Sequence, residues 1–112
     1  MSYSIVTIAP FDKQLKRLVK KYPSLKNEVA LLGKLLTSNP TAGISLGNNC
    51  YKIRLSIASK GKGKSGGARV ITHIYFDGKL VYLLAIYDKS EQENISDAQI
   101  TNLLTFIKKA TP

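Results

Sequence analysis

The sequence belongs to a small and strongly basic chain. It has 112 residues, of which 44% are hydrophobic and 21% are charged, and its formal net charge is +10 at pH 7. These values predict one folded domain over residues 1–112 and argue against disorder. A single cysteine and a single histidine exclude an internal disulfide and a zinc site closed by Cys and His ligands. Because no stretch has the roughly 18 apolar residues of a membrane span and the N-terminus has no signal-peptide pattern, we expect a cytoplasmic protein without a membrane partner.

The distribution of charge is more informative than the net charge. No acidic residue lies between Glu28 and Asp77. The same interval contains basic residues at positions Lys34, Lys52, Arg54, Lys60, Lys62, Lys64 and Arg69. Without balancing carboxylates, such a run indicates a surface that binds a polyanion, most often nucleic acid.

The N-terminal third of the chain predicts a strand and two helices. Residues 3–8 are rich in β-branched side chains and end before a proline, as a first strand would. Apolar residues then recur at helical spacing from Phe11 to Tyr22, with Pro10 and Asp12 at the expected helix start. Ser24 is a candidate cap for a second helix that ends near Asn39. We expect these helices to form an antiparallel hairpin.

The remainder predicts three strands and a final helix. A Gly/Asn-rich loop over residues 41–49 precedes "CYKIRLSI", which alternates apolar and polar residues. "ARVITHIYF" follows a Lys/Gly loop, an Asp77-Gly78 turn comes next, and "KLVYLLAIY" is apolar on both faces. Ser96 and Gln99 fit a capping box at the start of the last helix. The predicted fold is α+β, with the order β-α-α-β-β-β-α: a small antiparallel sheet, mixed at its N-terminal strand, with helices covering it.

Strand alternation predicts a cationic face on this sheet. Lys52 and Arg54 share one face, Arg69 enters the neighbouring strand, and Tyr87 and Lys89 share a face at the end of the last strand. Facing like charges destabilise a sheet unless an anion lies between them, so we expect a phosphate site here. By contrast, the lone His73 and the lone Cys50 are better explained as packed residues.

Residues 50–96 resemble a known family. The Lys-x-Arg strand, the Lys/Gly loop leading into "GGARVI", and "YDKSEQENIS" are similar to the RelE/ParE superfamily of toxins from bacterial toxin–antitoxin modules. The similarity is greatest to RelE- and HigB-like members, and the predicted element order extends it to nearly the whole chain.

The resemblance implies a ribosome-dependent mRNA interferase that needs neither a metal nor a cofactor. In this family the 2′-hydroxyl of the message attacks the adjacent phosphorus. Lys52, Arg54, Arg69, Tyr87 and Lys89 would form the catalytic set. Lys60, Lys62 and Lys64 would hold messenger or ribosomal RNA. The implied partners are the ribosome, mRNA and a cognate antitoxin.

The resemblance and side-chain chemistry together imply roles for this set, except for one. Arg54 and Arg69 suit phosphate binding because guanidinium groups stay charged and donate several hydrogen bonds. Lys89 matches a family position assigned to charge stabilisation or to protonation of the leaving oxygen. Arg54 stands where relatives often have a lysine, and arginine does not act as a base at neutral pH. The general base therefore stays open between Lys52 and Tyr87.

Two other functions are compatible with a basic chain of this kind. ParE-like members of the superfamily inhibit DNA gyrase and cleave no RNA, but they generally lack the full basic set. A non-catalytic module that binds RNA or DNA would account for the charge alone, although the sequence has no known reader motif.

Overall fold

The computed structural model describes residues 2–61 and 66–110. It contains five strands, three α-helices and one 3-10 turn. In chain order these are β1 Ser4–Thr7, α1 Ala9–Lys21, α2 Leu25–Ser38, β2 Ile44–Gly47, β3 Cys50–Leu55, the 3-10 turn Ala58–Lys60, β4 Ala68–Tyr75, β5 Leu80–Asp88 and α3 Asp97–Ala110.

The strands form one mixed sheet with the spatial order β1-β5-β4-β3-β2. β1 runs parallel to β5, and the other neighbouring pairs are antiparallel. β5 lies between β1 and β4, and its residues from Val81 to Asp88 are all buried. This burial explains the continuous apolar run in its sequence. The predicted α+β class and the mixed sheet are confirmed.

One strand was not predicted. β2 lies within the segment 41–49 that the composition indicated as loop, and it pairs with β3 through a tight turn. Asn48 and Asn49 form that turn with φ values of 56° and 59°. Asparagine adopts this left-handed region more readily than most residues, and two such residues in succession suit a hairpin turn of type I′.

The helices cover opposite faces of the sheet. α2 contacts the face of β3 that carries Ile53 and Leu55, whereas α3 contacts the face of β5 that carries Ala85 and Tyr87. Most of the fully buried helical side chains belong to the α1–α2 hairpin, for example Phe11 and Leu18. The main core therefore lies under this hairpin, and the α3 side has room for polar groups.

Local sequence signals predicted the start of α3 correctly and the turn between β4 and β5 approximately. The backbone N–H of Ser96 donates to Gln99 Oε1 at 2.9 Å, and the N–H of Gln99 donates to Ser96 Oγ at 3.1 Å, which confirms the predicted capping box. In the β4–β5 turn the left-handed residue is Lys79, with φ of 52°, rather than Gly78. Gly78 is required for a different reason, because a Cβ there would lie 2.6 Å from the ring of Tyr75. Within the described ranges, no helix is long and apolar enough to cross a lipid bilayer.

Candidate functional site

Three predicted site residues form a row across the sheet. Arg69 of β4 pairs with Arg54 of β3 on one side and with Tyr87 of β5 on the other. Residues directly opposite in antiparallel strands project from the same face, so the three side chains are neighbours on the α3 face. Lys52 lies two residues before Arg54 and therefore projects from the same face, opposite Ile71.

Lys89 extends this arrangement beyond the end of β5. Its backbone N–H donates to the carbonyl oxygen of Gly67 at 3.1 Å, which continues the β4–β5 ladder by one step. Alternation then places Lys89 on the face of Tyr87. We call Lys52, Arg54, Arg69, Tyr87 and Lys89 the cationic face. The register brings all five together, and their catalytic roles stay a prediction.

Exposure differs greatly within the cationic face. Arg54 is exposed, and Lys52 and Lys89 are half-buried. Arg69 and Tyr87 are each only 4% exposed, and Arg69 Nη1 donates to the carbonyl oxygen of Ala68 at 3.1 Å. The Tyr87 hydroxyl is buried and has no hydrogen-bond partner among the described residues. An unpaired buried hydroxyl costs free energy, which makes Tyr87 a candidate for ligand contact.

The protonation state of Tyr87 follows from its surroundings. Burial raises the pKa of the phenol, because the charged phenolate is disfavoured away from water. The nearby charge of Arg69 acts in the opposite direction and does not outweigh burial. Tyr87 is therefore a neutral phenol at neutral pH, suited to donating a hydrogen bond.

The start of the Lys/Gly loop is anchored at the N-terminus of α2. The N–H of Ser59 donates to Ser24 Oγ at 2.9 Å, and the N–H of Ser24 donates to Ser59 Oγ at 2.8 Å. The N–H of Ala58 donates to Glu28 Oε2 at 2.9 Å. Ser24 occupies the N-cap position of α2, as the sequence predicted. Its side chain makes no capping hydrogen bond to the helix, however, and instead joins the helix to the 3-10 turn.

Lys60 is not a free cation for RNA. Its ammonium donates to Asp88 Oδ1 at 2.7 Å and to Ser90 Oγ at 2.9 Å, and its side chain is 14% exposed. Since Asp88 already neutralises this charge, Lys60 fixes the loop to the end of β5 rather than offering its charge to a polyanion. The predicted RNA-binding residues Lys62 and Lys64 lie outside the described residues.

Asp88 is the centre of this anchor and was missed from the sequence. Its carboxylate is 0% exposed and accepts hydrogen bonds from the Tyr22 hydroxyl at 2.9 Å and the Ser90 N–H at 2.9 Å, besides that from Lys60. Burial opposes ionisation, but the hydrogen bonds from Lys60, Ser90 and Tyr22 outweigh it and hold the pKa well below its usual value of 3.8. An acidic residue ending an apolar strand was the only signal in the sequence.

Cys50 and His73 lie side by side on β3 and β4. The Cys50 Sγ is 3.4 Å from His73 Nδ1, a contact that the sequence did not predict. Burial raises the pKa of the thiol to about 11 and lowers the pKa of the imidazole. Both groups are neutral at pH 7, so the pair has no activated thiolate and fits the packing role expected for each residue.

No candidate metal centre accompanies the cationic face in the described part of the chain. Within residues 2–61 and 66–110, no group of three or more His, Cys, Asp or Glu side chains is arranged to hold a metal ion.

Fold and cationic face together define a small basic α+β domain with cations gathered on one side of a five-stranded sheet. The chain belongs to the RelE toxin family: the family model for the RelE toxin of the RelE/RelB toxin–antitoxin system matches residues 12–111. Among solved structures, a mutant of the E. coli toxin RelE in the free state is similar, with a TM-score of 0.59 and 16% identity over all of both chains. At that identity the likeness shows the fold. Family membership implies that the partner of this toxin is an antitoxin.

Proposed function

We propose that the protein is a ribosome-dependent, metal-independent mRNA endoribonuclease and the toxin of a type II toxin–antitoxin module. The supporting observation is the cross-strand row of Arg54, Arg69 and Tyr87, with Lys52 and Lys89 on the same face. Negative charge on a phosphodiester increases in the transition state, and cations held on a rigid sheet stabilise it without reorganising.

The proposed reaction breaks one bond to phosphorus and forms another. The 2′-hydroxyl oxygen attacks the adjacent phosphorus while the bond from phosphorus to the 5′-oxygen breaks. The products are a 2′,3′-cyclic phosphate and a 5′-hydroxyl. Lys52, acting in its neutral amine form, accepts the proton of the 2′-hydroxyl, and Lys89 in its ammonium form gives a proton to the leaving 5′-oxygen. Arg54 and Arg69 bind the non-bridging phosphate oxygens.

The state of Tyr87 favours Lys52 as the base. Burial raises the pKa of the Tyr87 phenol, so it holds its proton at neutral pH and is a poor proton acceptor. Its unpaired hydroxyl is instead available to donate to a phosphate oxygen or to a base of the RNA. This argues against Tyr87, and we assign the role of base to Lys52, whose neutral amine would be the acceptor.

The members of the cationic face differ in their access to a substrate. Arg54 is exposed and meets the substrate first, whereas Arg69 and Tyr87 are each only 4% exposed.

Inducible expression followed by primer-extension mapping of cut sites tests the proposal, with translation active and with translation blocked. We expect growth arrest and discrete cuts only in translated messages. Replacing the charge at Lys52, Arg69 or Lys89 with a neutral side chain should abolish both effects. Lys26→Met is the matched control, because it removes one exposed positive charge from α2.

If all three neutral variants still arrest growth, the assigned site is wrong. If arrest persists without mRNA cuts and gyrase supercoiling is inhibited, the ParE-like function replaces the one proposed here.

The antitoxin is expected to use an apolar or acidic helix. A groove between α2 and β3 supports the apolar contact: Leu31 and Leu35 are 68% and 49% exposed there, beside Leu55 and the site residue Arg54. Exposed leucines in a groove commonly mark a protein interface. Purification from the native operon should recover a second small protein, and Leu31→Ser combined with Leu35→Ser should release it. Recovery of the toxin alone would contradict this expectation.

A further inference from the structure

An open cleft beside the cationic face has an unusual lining. It has a volume of about 150 Å³ and lies between α1, the end of β5 and α3. Four amide side chains line it, namely Gln14, Gln92, Gln99 and Asn102, together with Tyr87 and apolar residues. All of the described residues that line it are neutral, although the chain as a whole carries a net charge of +10.

Backbone hydrogen bonds fix the orientation of three of these amides. Gln14 Oε1 accepts from the N–H of Ile86 at 3.2 Å. Gln99 Oε1 accepts from the N–H of Ser96 at 2.9 Å, and Gln92 Nε2 donates to the carbonyl oxygen of Asn94 at 2.9 Å. Because each partner is a backbone group of known polarity, the amide ends are assigned without ambiguity.

These contacts decide which amide end remains for a ligand. Gln14 and Gln99 retain their Nε2 donors, and Gln92 retains its Oε1 acceptor. The Asn102 side chain makes no hydrogen bond to the described part of the chain, so both its donor and its acceptor remain. The cleft therefore combines donors and acceptors whose positions are largely set before a ligand arrives, which favours specific recognition.

Tyr87 connects the cleft to the cationic face. Its ring lines the cleft, its residue pairs with Arg69, and its buried hydroxyl is unpartnered among the described residues. A ligand that offers an acceptor to this hydroxyl removes the cost of leaving it unpaired. A single ligand with a charged part and a neutral polar part would satisfy both regions.

The neutral lining identifies the chemical class of that ligand. Phosphate selects cations, which are absent from the described lining of this cleft, whereas amide side chains pair with the hydrogen-bonding edges of bases. Ala85 and Leu103 supply apolar surface for the faces of a planar ring. We propose that the cleft binds one nucleobase of single-stranded RNA while the adjoining phosphate lies on the cationic face. This inference rests on the proposed RNA substrate and adds a base-reading site to it.

Binding of uncleavable RNA tests the cleft separately from catalysis. The probes are short, fluorescently labelled, 2′-O-methylated oligonucleotides that differ only at one central position, which carries each of the four bases or no base. Methylation removes the attacking hydroxyl, so the measurement does not depend on nuclease activity. We expect the full-length protein to bind its preferred base about tenfold more tightly than the abasic probe, as two or more hydrogen bonds would give.

Asn102→Leu and Asn102→Ala provide the variants. Asn102 lies on the surface of α3, and both replacements are better helix formers than asparagine, so folding is preserved. Both should reduce the base preference toward unity and leave the affinity for the abasic probe unchanged. The control is Asn27→Ala, an exposed asparagine on α2, which should change neither affinity.

Each outcome is decisive for the cleft. Equal binding of abasic and base-containing probes by the parent, an absence of binding to every probe, or an equal loss for all probes in the Asn102 variants would overturn the proposal. A protein that cuts translated messages but shows no base preference would retain the proposed function and lose the cleft. A base preference that Asn102→Leu removes, in a protein that cuts no message, would support the cleft and refute the nuclease.

Discussion

Replacing Lys60 with methionine tests whether a buried ion pair holds the Lys/Gly loop in place. Methionine keeps the length of the side chain and removes the ammonium. Asp88 then remains fully buried without its cation, although the Tyr22 hydroxyl and the N–H and hydroxyl of Ser90 still donate to it.

The expected loss of folding stability in Lys60→Met follows from the cost of an unpaired buried charge. Breaking a buried pair by removing one partner costs about 3–5 kcal/mol. Because hydrogen bonds from Tyr22 and Ser90 survive, we expect the lower end, about 3 kcal/mol. A domain of this size has roughly 5–15 kcal/mol of stability in total, so the loss is severe. It corresponds to a fall in melting temperature on the order of 10 °C.

A double-mutant cycle measured by urea unfolding separates the pair from its surroundings. Asp88→Asn alone should cost a similar amount, since it leaves the Lys60 ammonium without its counter-charge. The double variant should cost less than the sum of the two, with a coupling energy of about 1–3 kcal/mol, because no unpaired charge remains. The dependence of unfolding free energy on urea should stay unchanged if the native fold is kept.

Glu91→Gln is the matched control. Glu91 pairs with Arg17 at 2.9 Å and with Lys21 at 3.5 Å, but these groups are largely exposed. Exposed pairs contribute little, so this variant should unfold close to the parent. Strict additivity of the two single changes, or a Lys60→Met variant as stable as Glu91→Gln, would refute the account of the loop anchor.

Three further predictions concern the acid sensitivity of the Asp88 anchor, the reactivity of Cys50 and the packing around two glycines. The folded-state pKa of Asp88 lies below its ordinary 3.8, so ionised Asp88 stabilises the fold above pH 3.8 and loses this effect on acidification. The difference in melting temperature between the parent and Asp88→Asn should therefore shrink below about pH 4, and a constant difference would contradict this. Cys50 is buried with its pKa raised to about 11, and a thiol reagent at pH 8 should label it far more slowly in the folded protein than in urea. Gly67→Ala should lower the unfolding free energy by about 1–3 kcal/mol, because its Cβ would press on the carbonyl oxygen of Leu55. Gly33→Ala, within α2 and with open space around its Cβ, should instead raise it by about 0.5–1 kcal/mol, and equal effects of the two glycine changes would disprove the steric argument.

Local patterns predicted most of the fold because they reflect short-range geometry. Helical spacing, the Ser96–Gln99 capping box and the alternation in β3 each involve residues a few positions apart. The strand β2 escaped prediction because it has only four residues and leaves Ile44 exposed, so it shows no alternation between buried and solvent-facing positions. Its pairing with β3 depends on the turn at Asn48 and Asn49, which composition alone indicated as loop.

The sequence predicted that these side chains share one face of the sheet, but not what surrounds them there. Alternation placed Lys52 and Arg54 on one face, and the register added Arg69 and Tyr87 to it. The sequence did not reveal that Arg69 and Tyr87 are buried, nor that amides from α1 and α3 meet beside Tyr87. These features arise where distant elements pack together, and no local pattern encodes that packing.

The sequence by itself determined a basic α+β domain, its helices and most of its strands, and the set of side chains that we expect to bind phosphate. Only the tertiary structure decided which of those charges are available to bind an anion and which are already neutralised. Lys60 and Asp88 are 28 positions apart, and their charges cancel because folding brings the ends of a loop and a strand together. Charge counts along a chain are local, whereas the neutralisation of a charge depends on what folding brings within reach of it.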